Sequence, residues 1–294
     1  MKEMLVISGK GGTGKTSLVA SFAALANGKV LADCDVDAAD LHLVLEPTVM
    51  RRETFTGGKK ARILPAQCTA CGKCQELCAF DAVRVDVNKD TGQTHRIDPF
   101  SCEGCGLCVR FCPGQAIEFK DAASGEWFIS RTRFGPMVHA RLAPAAENSG
   151  KLVTVVRNHA REVAEKEGLG LILVDGAPGI GCPVIASLSG VDLALIVTEP
   201  TLSAFHDFER VRRLTRHFEV QTLVCINKHD LNPELTEEIE RRARASGTRV
   251  AGLIRYDRAV TQAQIVKKSV PEFTDGPVTE DIRAVWEVVS DALG

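Results

Sequence analysis

A glycine-rich segment near the amino terminus, residues 9–17, has the residue types and spacing needed to bind phosphate. Gly9 and the sequence Gly14-Lys15-Thr16 match the pattern G-x-x-x-x-G-K-[ST]. Glycines let backbone N–H groups surround phosphate oxygens, because they tolerate positive φ and carry no side chain. In this motif the lysine reaches the β- and γ-phosphates and the hydroxyl binds Mg²⁺. The residues predicted to bind a nucleotide here are Gly9, Lys10, Gly11, Gly12, Thr13, Gly14, Lys15, Thr16 and Ser17.

Two apolar runs flank this segment and would position it. Residues 4–7 predict a short buried strand, and residues 18–26 predict an Ala-rich helix. A strand, a glycine-rich loop and a helix are the context in which the motif binds phosphate. The amino terminus of the helix adds a partial positive charge. A glycine-rich turn without function is the alternative, and the complete motif in this context argues against it.

Acidic residues follow two further apolar strands, at the edge where doubly wound sheets bind ligands. The run 169–174 leads into Asp175, which fits a carboxylate that holds Mg²⁺. The run 29–32 is followed by Asp33 and Asp35. Helical segments alternate with buried strands along most of the chain. We therefore predict an α/β fold with a doubly wound, mostly parallel sheet.

Eight of the eleven cysteines occur in two regularly spaced groups. The first group, C-x₂-C-x₂-C-x₃-C, begins at Cys68, and the second repeats that spacing from Cys102. Clustered cysteines in a chain with no export signal argue for metal binding rather than disulfides. Zinc also uses C-x-x-C pairs, but three cysteines at x₂ spacing plus a fourth, present twice, are not a usual zinc arrangement.

The cysteine groups define a predicted insertion in a larger domain. Between them, residues 83–87 and 94–97 predict a hairpin that turns at residues 88–92, and residues 115–120 are predicted to pair with residues 126–130. The predicted domains are residues 57–134 for the insert and residues 1–56 with 135–294 for the larger domain.

Two helices are predicted after the insert. Ser149 is a plausible cap for a helix over residues 151–167, and Glu147 and Asn148 either cap it as well or contact a partner subunit. Residues 278–293 are amphipathic and acidic on their polar face, so we expect this helix to pack on the core rather than bind a membrane.

Lys10 lies inside the phosphate-binding segment, which reads K-G-G-T-G-K-T. This sequence resembles the deviant Walker A loop of MinD/ParA-type ATPases and the nitrogenase iron protein. The resemblance implies ATP hydrolysis by a dimer in which Lys10 touches the partner's nucleotide and stabilises charge that builds up during phosphoryl transfer. It also places Asp35 in switch I, where the carboxylate orients or deprotonates the attacking water. With the motif, it assigns catalysis to Lys10, Lys15 and Asp35, and Mg²⁺ binding to Thr16, Asp35 and Asp175.

Three further segments resemble parts of the same ATPases. The turn D-G-A-P-G beginning at Asp175 resembles switch II, a hinged loop able to sense the γ-phosphate. Asn227, in the sequence N-K-H-D, matches an asparagine that lies against adenine, although Asp230 leaves GTP open. Asp257 matches a base-contacting aspartate, but Arg255 stands where the family commonly has proline.

The cysteine groups resemble a bacterial-type ferredoxin, in which the fourth cysteine of each group ligates the other cluster. The resemblance implies an inserted α+β ferredoxin domain with two [4Fe–4S] clusters. The first ligand set is Cys68, Cys71, Cys74 and Cys112, and the second is Cys102, Cys105, Cys108 and Cys78. Ala79 stands where proline often follows the fourth cysteine, which reduces local rigidity but removes no ligand.

Composition excludes several other classes. The 294 residues include 45% hydrophobic and 25% charged residues, as in ordinary globular proteins, and the formal net charge is −2. This charge gives no attraction to nucleic acid or anionic lipid, and we expect neither as a partner. Neither a signal peptide nor an apolar run of ~20 residues is predicted. The cytoplasm is therefore the expected location.

These features favour ATP-gated electron transfer to a redox partner, by a homodimer or a heterodimer with a related ATPase. Two alternatives stay open: an ATPase for assembly of iron–sulfur or other metal clusters, which would bring a metal-cluster protein as partner, and a MinD/ParA-like positioning ATPase with structural clusters. Four cysteines for each cluster favour electron transfer, because a fully ligated cluster is suited to be retained. Assembly would need a labile site between subunits, and Cys34 and Cys182, near the switches, lack a convincing pair spacing.

Overall fold

The structure, a computed structural model, describes residues 1–88, 92–144, 146 and 149–294. Its strands are β1 (Lys2–Ser8), β2 (Lys29–Asp33), β3 (Thr48–Ile63), β4 (Val83–Asn88), β5 (Gly92–Ile97), β6 (Ile117–Thr132), β7 (Gly135–Leu142), β8 (Leu171–Pro178), β9 (Leu193–Thr198), β10 (Gln221–Asn227) and β11 (Arg249–Ile254). Its helices are α1 (Lys15–Leu25), α2 (Leu41–Leu45), α3 (Lys73–Glu76), α4 (Leu107–Arg110), α5 (Ser149–Glu167), α6 (Cys182–Leu188), α7 (Leu202–His217), α8 (Pro233–Ala245), α9 (Arg258–Ile265), α10 (Val270–Phe273) and α11 (Pro277–Leu293).

The chain divides into two compact units. The larger unit contains Met1–Glu53, Trp127–Arg141 and Ser149–Gly294, and the smaller unit contains Thr54–Glu126 and Leu142–Asn148. Their limits differ by several residues from the domain boundaries predicted above. Whether the two units are independent domains stays a prediction.

Parallel strands form the centre of the larger unit. The nine-stranded sheet has the order β11-β10-β9-β1-β8-β2-β7-β6-β3, and every neighbouring pair from β11 to β7 is parallel. On β8, Asp175 lies opposite Val6 of β1 and Asp33 of β2. The carboxyl ends of these central strands therefore meet at one edge. The predicted α/β fold with a mostly parallel sheet is confirmed.

Helices cover both faces of this sheet, as the fully apolar strands require. On one face, Met4 and Val6 of β1 belong to the same buried cluster as Phe22 of α1 and Val285 of α11. Helices α5 to α8 contact the sheet through a different set of buried residues, including Leu152, Val184, Phe208 and Ile239. The prediction that the last helix packs on the core is confirmed.

Two strands are longer than predicted. Residues 115–120 and 126–130 do not form a hairpin, because β6 runs without interruption from Ile117 to Thr132 beside β3, which is equally long and supplies a ladder partner. Strand β8 does not end at Val174. Pairing with β1 and β2 carries it through Asp175, and Gly176 permits this because a Cβ there would lie 2.6 Å from Ile7.

The smaller unit contains the predicted hairpin and both cysteine groups. Strands β4 and β5 pair antiparallel, with Val83 opposite Ile97, which confirms the hairpin. Residues 89–91 of its predicted turn lie outside the described residues. Six of the cysteines pack against or belong to the buried apolar cluster of this unit: Cys68, Cys74, Cys78, Cys102, Cys108 and Cys112.

The helix after the insert begins earlier than predicted. Ser149 is the first residue of α5, so the prediction that it caps a helix starting at residue 151 is wrong. Glu147 and Asn148 lie outside the described residues. None of the described helices combines the length and the hydropathy that a membrane span requires.

Candidate nucleotide site and cysteine pockets

The phosphate-binding segment connects β1 to α1 in the predicted manner. Gly12 and Gly14 have φ of 80° and 94°, in the left-handed region that favours glycine. Gly14 caps α1 without a side-chain hydrogen bond, which leaves backbone N–H groups of the first turn available for an anion. Lys15, the first residue of α1, is 6% exposed. The arrangement can therefore neutralise and bind phosphate.

An open cleft of about 420 Å³ extends from this segment along the carboxyl edge of the sheet. The phosphate-binding segment, residues 9–17, is called the P-loop below. Its residues that line the cleft are Gly11, Gly12, Gly14, Lys15, Thr16 and Ser17. From other elements, its lining includes Asp35, Asn227, Lys228, Tyr256, Asp257 and Gln264. Its size and its polar lining are suited to a nucleotide.

Two carboxylates close to Lys15, the buried Asp175 and the partly buried Asp35, fit a divalent cation. Both carboxylate oxygens of Asp175 are buried and lack a hydrogen bond of normal geometry from any described residue. Burial raises the pKa of Asp175 to about 7, although Lys15 and the Thr16 hydroxyl oppose this rise. Burial likewise raises the pKa of Asp35 to about 6, against the attraction of Lys15. Mg²⁺ would supply the missing positive partner, with Thr16, Asp35 and Asp175 as the residues available to it.

Asp33 has a supporting role in this site. Its carboxylate accepts hydrogen bonds from the backbone N–H groups of Asp35, at 3.1 Å, and Leu41, at 3.3 Å. Burial and the neighbouring Asp175 raise the pKa of Asp33. Asp33 therefore fixes the backbone that carries Asp35.

Asn227 is tied to the phosphate-binding segment. Its Nδ2 donates a hydrogen bond of 2.8 Å to the Thr13 carbonyl oxygen. Asp257 caps α9, since its carboxylate accepts from the Ala259 N–H at 2.8 Å, and it also lines the cleft. Both residues line the cleft. Contact with a base stays a prediction for each.

Asp230 and Arg255 hold the loop that follows β11. Asp230 Oδ1 accepts a hydrogen bond of 2.7 Å from the Tyr256 N–H, and Asp230 lies outside the described lining of the cleft. Arg255 forms a bidentate ion pair with Asp281, at 2.6 and 2.9 Å. These two contacts hold the loop, and the Oδ1 atom of Asp230 is engaged by the loop.

Lys10 is held within its own chain. Its Nζ lies 2.8 Å from Glu199 Oε1 and donates to the Thr201 and Ser203 hydroxyls at 3.2 Å each. The second oxygen of Glu199 binds Lys228 at 2.8 Å. Sequence reasoning overlooked Glu199. The signal available was an acidic residue directly after the buried strand β9, at the same sheet edge as Asp35 and Asp175.

The smaller unit contains two pockets, each lined by four cysteines. One pocket is lined by Cys68, Cys71, Cys74 and Cys112, together with other residues, and the second by Cys78, Cys102, Cys105 and Cys108. These are the two predicted ligand sets, including the exchange of the fourth cysteine between the groups. All eleven cysteines lie among the described residues and are free thiols.

Cysteine thiols are crowded together in both pockets. Burial and the neighbouring Cys102 raise the pKa of Cys108 to about 11, because thiolates crowded together repel one another. In the first pocket, His95 is 4% exposed and its Nδ1 has no hydrogen-bond partner among the described residues. Sequence reasoning did not identify His95, since its type and position carry no signal. The cysteines therefore fit a cofactor that binds thiolate sulfur.

Zinc and iron–sulfur clusters make different demands on the arrangement of cysteines in these pockets. No group of three or more His, Cys, Asp or Glu side chains in the described part of the chain is arranged to hold one ion. Zinc draws its sulfur ligands to about 2.3 Å, whereas a [4Fe–4S] cluster is larger and takes four cysteines. Mg²⁺ does not need three protein side chains around it, because it binds through one or two carboxylates together with substrate phosphates.

The three remaining cysteines are separate from both pockets. Cys34 is fully buried between Asp33 and Asp35, and burial raises the pKa of its thiol. Cys225 is buried within β10, and Cys182 is exposed at the start of α6. Among the described residues none of the three joins a metal-binding group.

The fold, the glycine-rich loop and the cleft define a P-loop nucleotide-binding protein. The CobQ/CobB/MinD/ParA nucleotide binding domain matches residues 4–270, and the chain belongs to this family of MinD/ParA-type ATPases. It is 35% identical over 239 residues to an uncharacterized protein of Methanocaldococcus jannaschii, MJ0578, covering 78% of this chain and 79% of that one. Over 264 residues it is 24% identical to MJ0579 of the same organism, covering 79% and 83%.

Solved structures show the same fold. The cell division ATPase MinD of Pyrococcus furiosus superposes with a TM-score of 0.57 at 16% identity, covering 99% of this chain and 98% of that one. MinD of Pyrococcus horikoshii, solved with Mg-ADP, gives a TM-score of 0.58 at 15% identity, covering 100% and 97%.

Proposed function

We propose that the protein is a Mg²⁺-dependent ATPase whose nucleotide-driven dimerisation controls electron transfer through two [4Fe–4S] clusters in the smaller unit. The observation that carries this proposal is the presence of two four-cysteine pockets in a chain that also has a complete P-loop site. When bound, such clusters store and pass single electrons. The partner that fits is a redox protein.

In the nucleotide site, the position of each residue supports a particular role. The backbone of the P-loop and Lys15 bind the phosphates, and Thr16 with Asp175 holds Mg²⁺. Asp35 lines the same cleft and orients the attacking water. Its raised pKa suits a carboxyl that exchanges a proton near neutral pH. Asn227 and Asp257 contact the base, and the engagement of Asp230 with the Tyr256 N–H favours adenine over guanine.

In the smaller unit, the chain supplies all four ligands of each cluster. The first cluster would be held by Cys68, Cys71, Cys74 and Cys112, and the second by Cys102, Cys105, Cys108 and Cys78. Complete ligation by one chain favours retention of both clusters. This is the argument for electron transfer over cluster delivery, which needs a labile site.

A second candidate, a MinD/ParA-like positioning ATPase with structural clusters, is favoured by the similarity of the fold to MinD. The third candidate, cluster assembly, is not favoured by a specific observation. The three candidates predict different effects of ATP turnover on iron retention and on the redox state of the clusters.

Nucleotide should change the redox behaviour of the purified protein. We expect anaerobically prepared protein to retain its iron through ATP turnover, and the rate of reduction by dithionite to differ with and without Mg-ATP. Optical and electron paramagnetic resonance spectra would measure this difference. Transfer of iron to an apo-acceptor would support assembly, and clusters indifferent to nucleotide would support the positioning role.

Lys10→Ala should bind ATP normally but hydrolyse it at least about tenfold more slowly, because it removes a cation from the charge that develops during phosphoryl transfer. Fluorescent-nucleotide binding and phosphate release would separate these two effects. Lys267→Ala is the matched control, since Lys267 pairs with Glu46 on the surface. Unchanged turnover in Lys10→Ala would remove Lys10 from the mechanism.

A further inference from the structure

Glu199 is the centre of a charge network beside the P-loop. Its two carboxylate oxygens bind two different lysines, Lys10 and Lys228, each at 2.8 Å. Glu199 is largely buried, with a side chain 13% exposed, and the two lysines are 31% and 28% exposed. Burial opposes ionisation of Glu199, but the hydrogen bonds from both lysines outweigh it and lower the pKa of the carboxyl. A single negative charge is thus shared by two cations.

These two lysines belong to different parts of the nucleotide site. Lys10 lies within the P-loop, while Lys228 follows Asn227 and lines the cleft. Lys228 also donates a hydrogen bond of 3.2 Å to the Gly12 carbonyl oxygen. Its φ of 56° is left-handed, a conformation that non-glycine residues seldom adopt. Glu199 therefore connects the phosphate end of the cleft with the strand that carries the base-contacting asparagine.

The contacts of Lys10 conflict with the role proposed for it. An ammonium group bound to Glu199, Thr201 and Ser203 of its own chain cannot at the same time contact a phosphate in another subunit. Reaching that phosphate requires Lys10 to leave the carboxylate. Any group that weakens the hold of Glu199 on Lys10 favours the transfer.

We propose that Glu199 is a positioning residue that retains Lys10 in its own subunit, and that Lys228 sets the strength of this retention by sharing the carboxylate. The inference rests on the proposed function, because it concerns the same dimer. Loss of the Glu199 charge releases Lys10 for the partner's nucleotide. When Lys228 is lost, Glu199 pairs with Lys10 alone, and the retention of Lys10 in its own subunit becomes stronger.

Glu199→Gln should therefore strengthen nucleotide-dependent dimerisation. Two such contacts are released in each dimer, and a partly exposed ion pair contributes little individually, so we expect about a tenfold lower dimer dissociation constant. Sedimentation velocity with a saturating non-hydrolysable ATP analogue would measure it. Glu209→Gln is the matched control, because Glu209 is a partly buried carboxylate paired with Arg212 on α7 and should leave the constant unchanged.

Lys228→Met should have the opposite effect and weaken the dimer. Because Lys228 lines the cleft, the dimer dissociation constant should be measured at a saturating concentration of the analogue. The double variant Glu199→Gln/Lys228→Met should behave like Glu199→Gln alone, since Lys228 acts on Lys10 only through the charge of Glu199. A purely structural role for Glu199 would weaken the dimer in every variant.

Steady-state turnover supplies a second readout. Glu199→Gln should lower the protein concentration that gives the half-maximal rate, with little change in the rate at saturating protein.

The outcomes separate this inference from the proposed function. If the wild-type protein does not dimerise with the ATP analogue, the proposed dimer itself fails. If the wild type dimerises but Glu199→Gln has an unchanged or higher dissociation constant, the retention role is overturned. If Glu199→Gln and Lys228→Met change the dimer dissociation constant in the same direction, the two lysines do not share the carboxylate in the proposed way.

Discussion

Asp175→Asn should lower Mg²⁺-dependent ATP hydrolysis by at least about a hundredfold and yet stabilise the nucleotide-free protein at pH 8. The first effect follows from the loss of the buried carboxylate available to the metal. The second follows from burial, because both oxygens of Asp175 lack a normal hydrogen bond from the described residues. An amide avoids the cost of ionising a buried carboxyl. The two properties should therefore change in opposite directions.

The sign of the pH dependence follows from the raised pKa of Asp175. The carboxyl ionises near 3.8 in the unfolded chain and near 7 in the folded protein. Between these values the folded state binds more protons, so the free energy of unfolding contributed by this group falls as pH rises from about 4 through about 7. The melting temperature of Asp175→Asn should exceed that of the wild type by more at pH 8 than at pH 5.5.

Calorimetry without nucleotide would test this, with a rise of at least about 3 °C expected at pH 8. Asp291→Asn, an exposed position on α11, is the control and should leave both melting and hydrolysis unchanged. Added Mg²⁺ should raise the melting temperature of the wild type but not that of Asp175→Asn. A variant that melts below the wild type at pH 8 would show that the carboxylate has a stabilising partner instead.

The features that could be predicted from sequence were those encoded locally. The P-loop, its flanking strand and helix, and the buried strands depend on short runs of residues whose pattern is independent of distant partners. The grouping of Cys78 and Cys112 with the opposite cysteine groups was also accessible, because the resemblance to a bacterial-type ferredoxin implies it. The mostly parallel sheet followed from the alternation of strands with helices.

The features that escaped prediction depend on contacts between distant segments. The uninterrupted β6 has turn-forming residues in its middle, and only a neighbouring strand of equal length explains why it does not turn. Glu199 lies far along the chain from Lys10, so no local pattern could pair them. The same holds for the hydrogen bond from the Tyr256 N–H to Asp230, which joins two segments that no local pattern connects.

Exchange of the fourth cysteine predicts a pattern of iron loss that the order of the chain would not suggest. Cys112→Ala should act on the same cluster as Cys71→Ala, although Cys112 belongs to the second group in the sequence. Each single variant should reduce iron from about eight to about four atoms per chain, because a [4Fe–4S] cluster needs four cysteines. Iron analysis of anaerobically purified protein would measure this.

Double variants make the test decisive, because the effects should be non-additive within a pocket and additive between pockets. Cys71→Ala/Cys112→Ala should retain about four irons, as each single variant does, whereas Cys105→Ala/Cys112→Ala should retain almost none. Cys182→Ala, outside both pockets, is the control and should keep the full iron content. If Cys112 instead grouped with Cys105, each cluster would be held within one cysteine group and the exchange would be wrong. Zinc in place of iron would leave an ATPase with structural metal sites and no route for electrons.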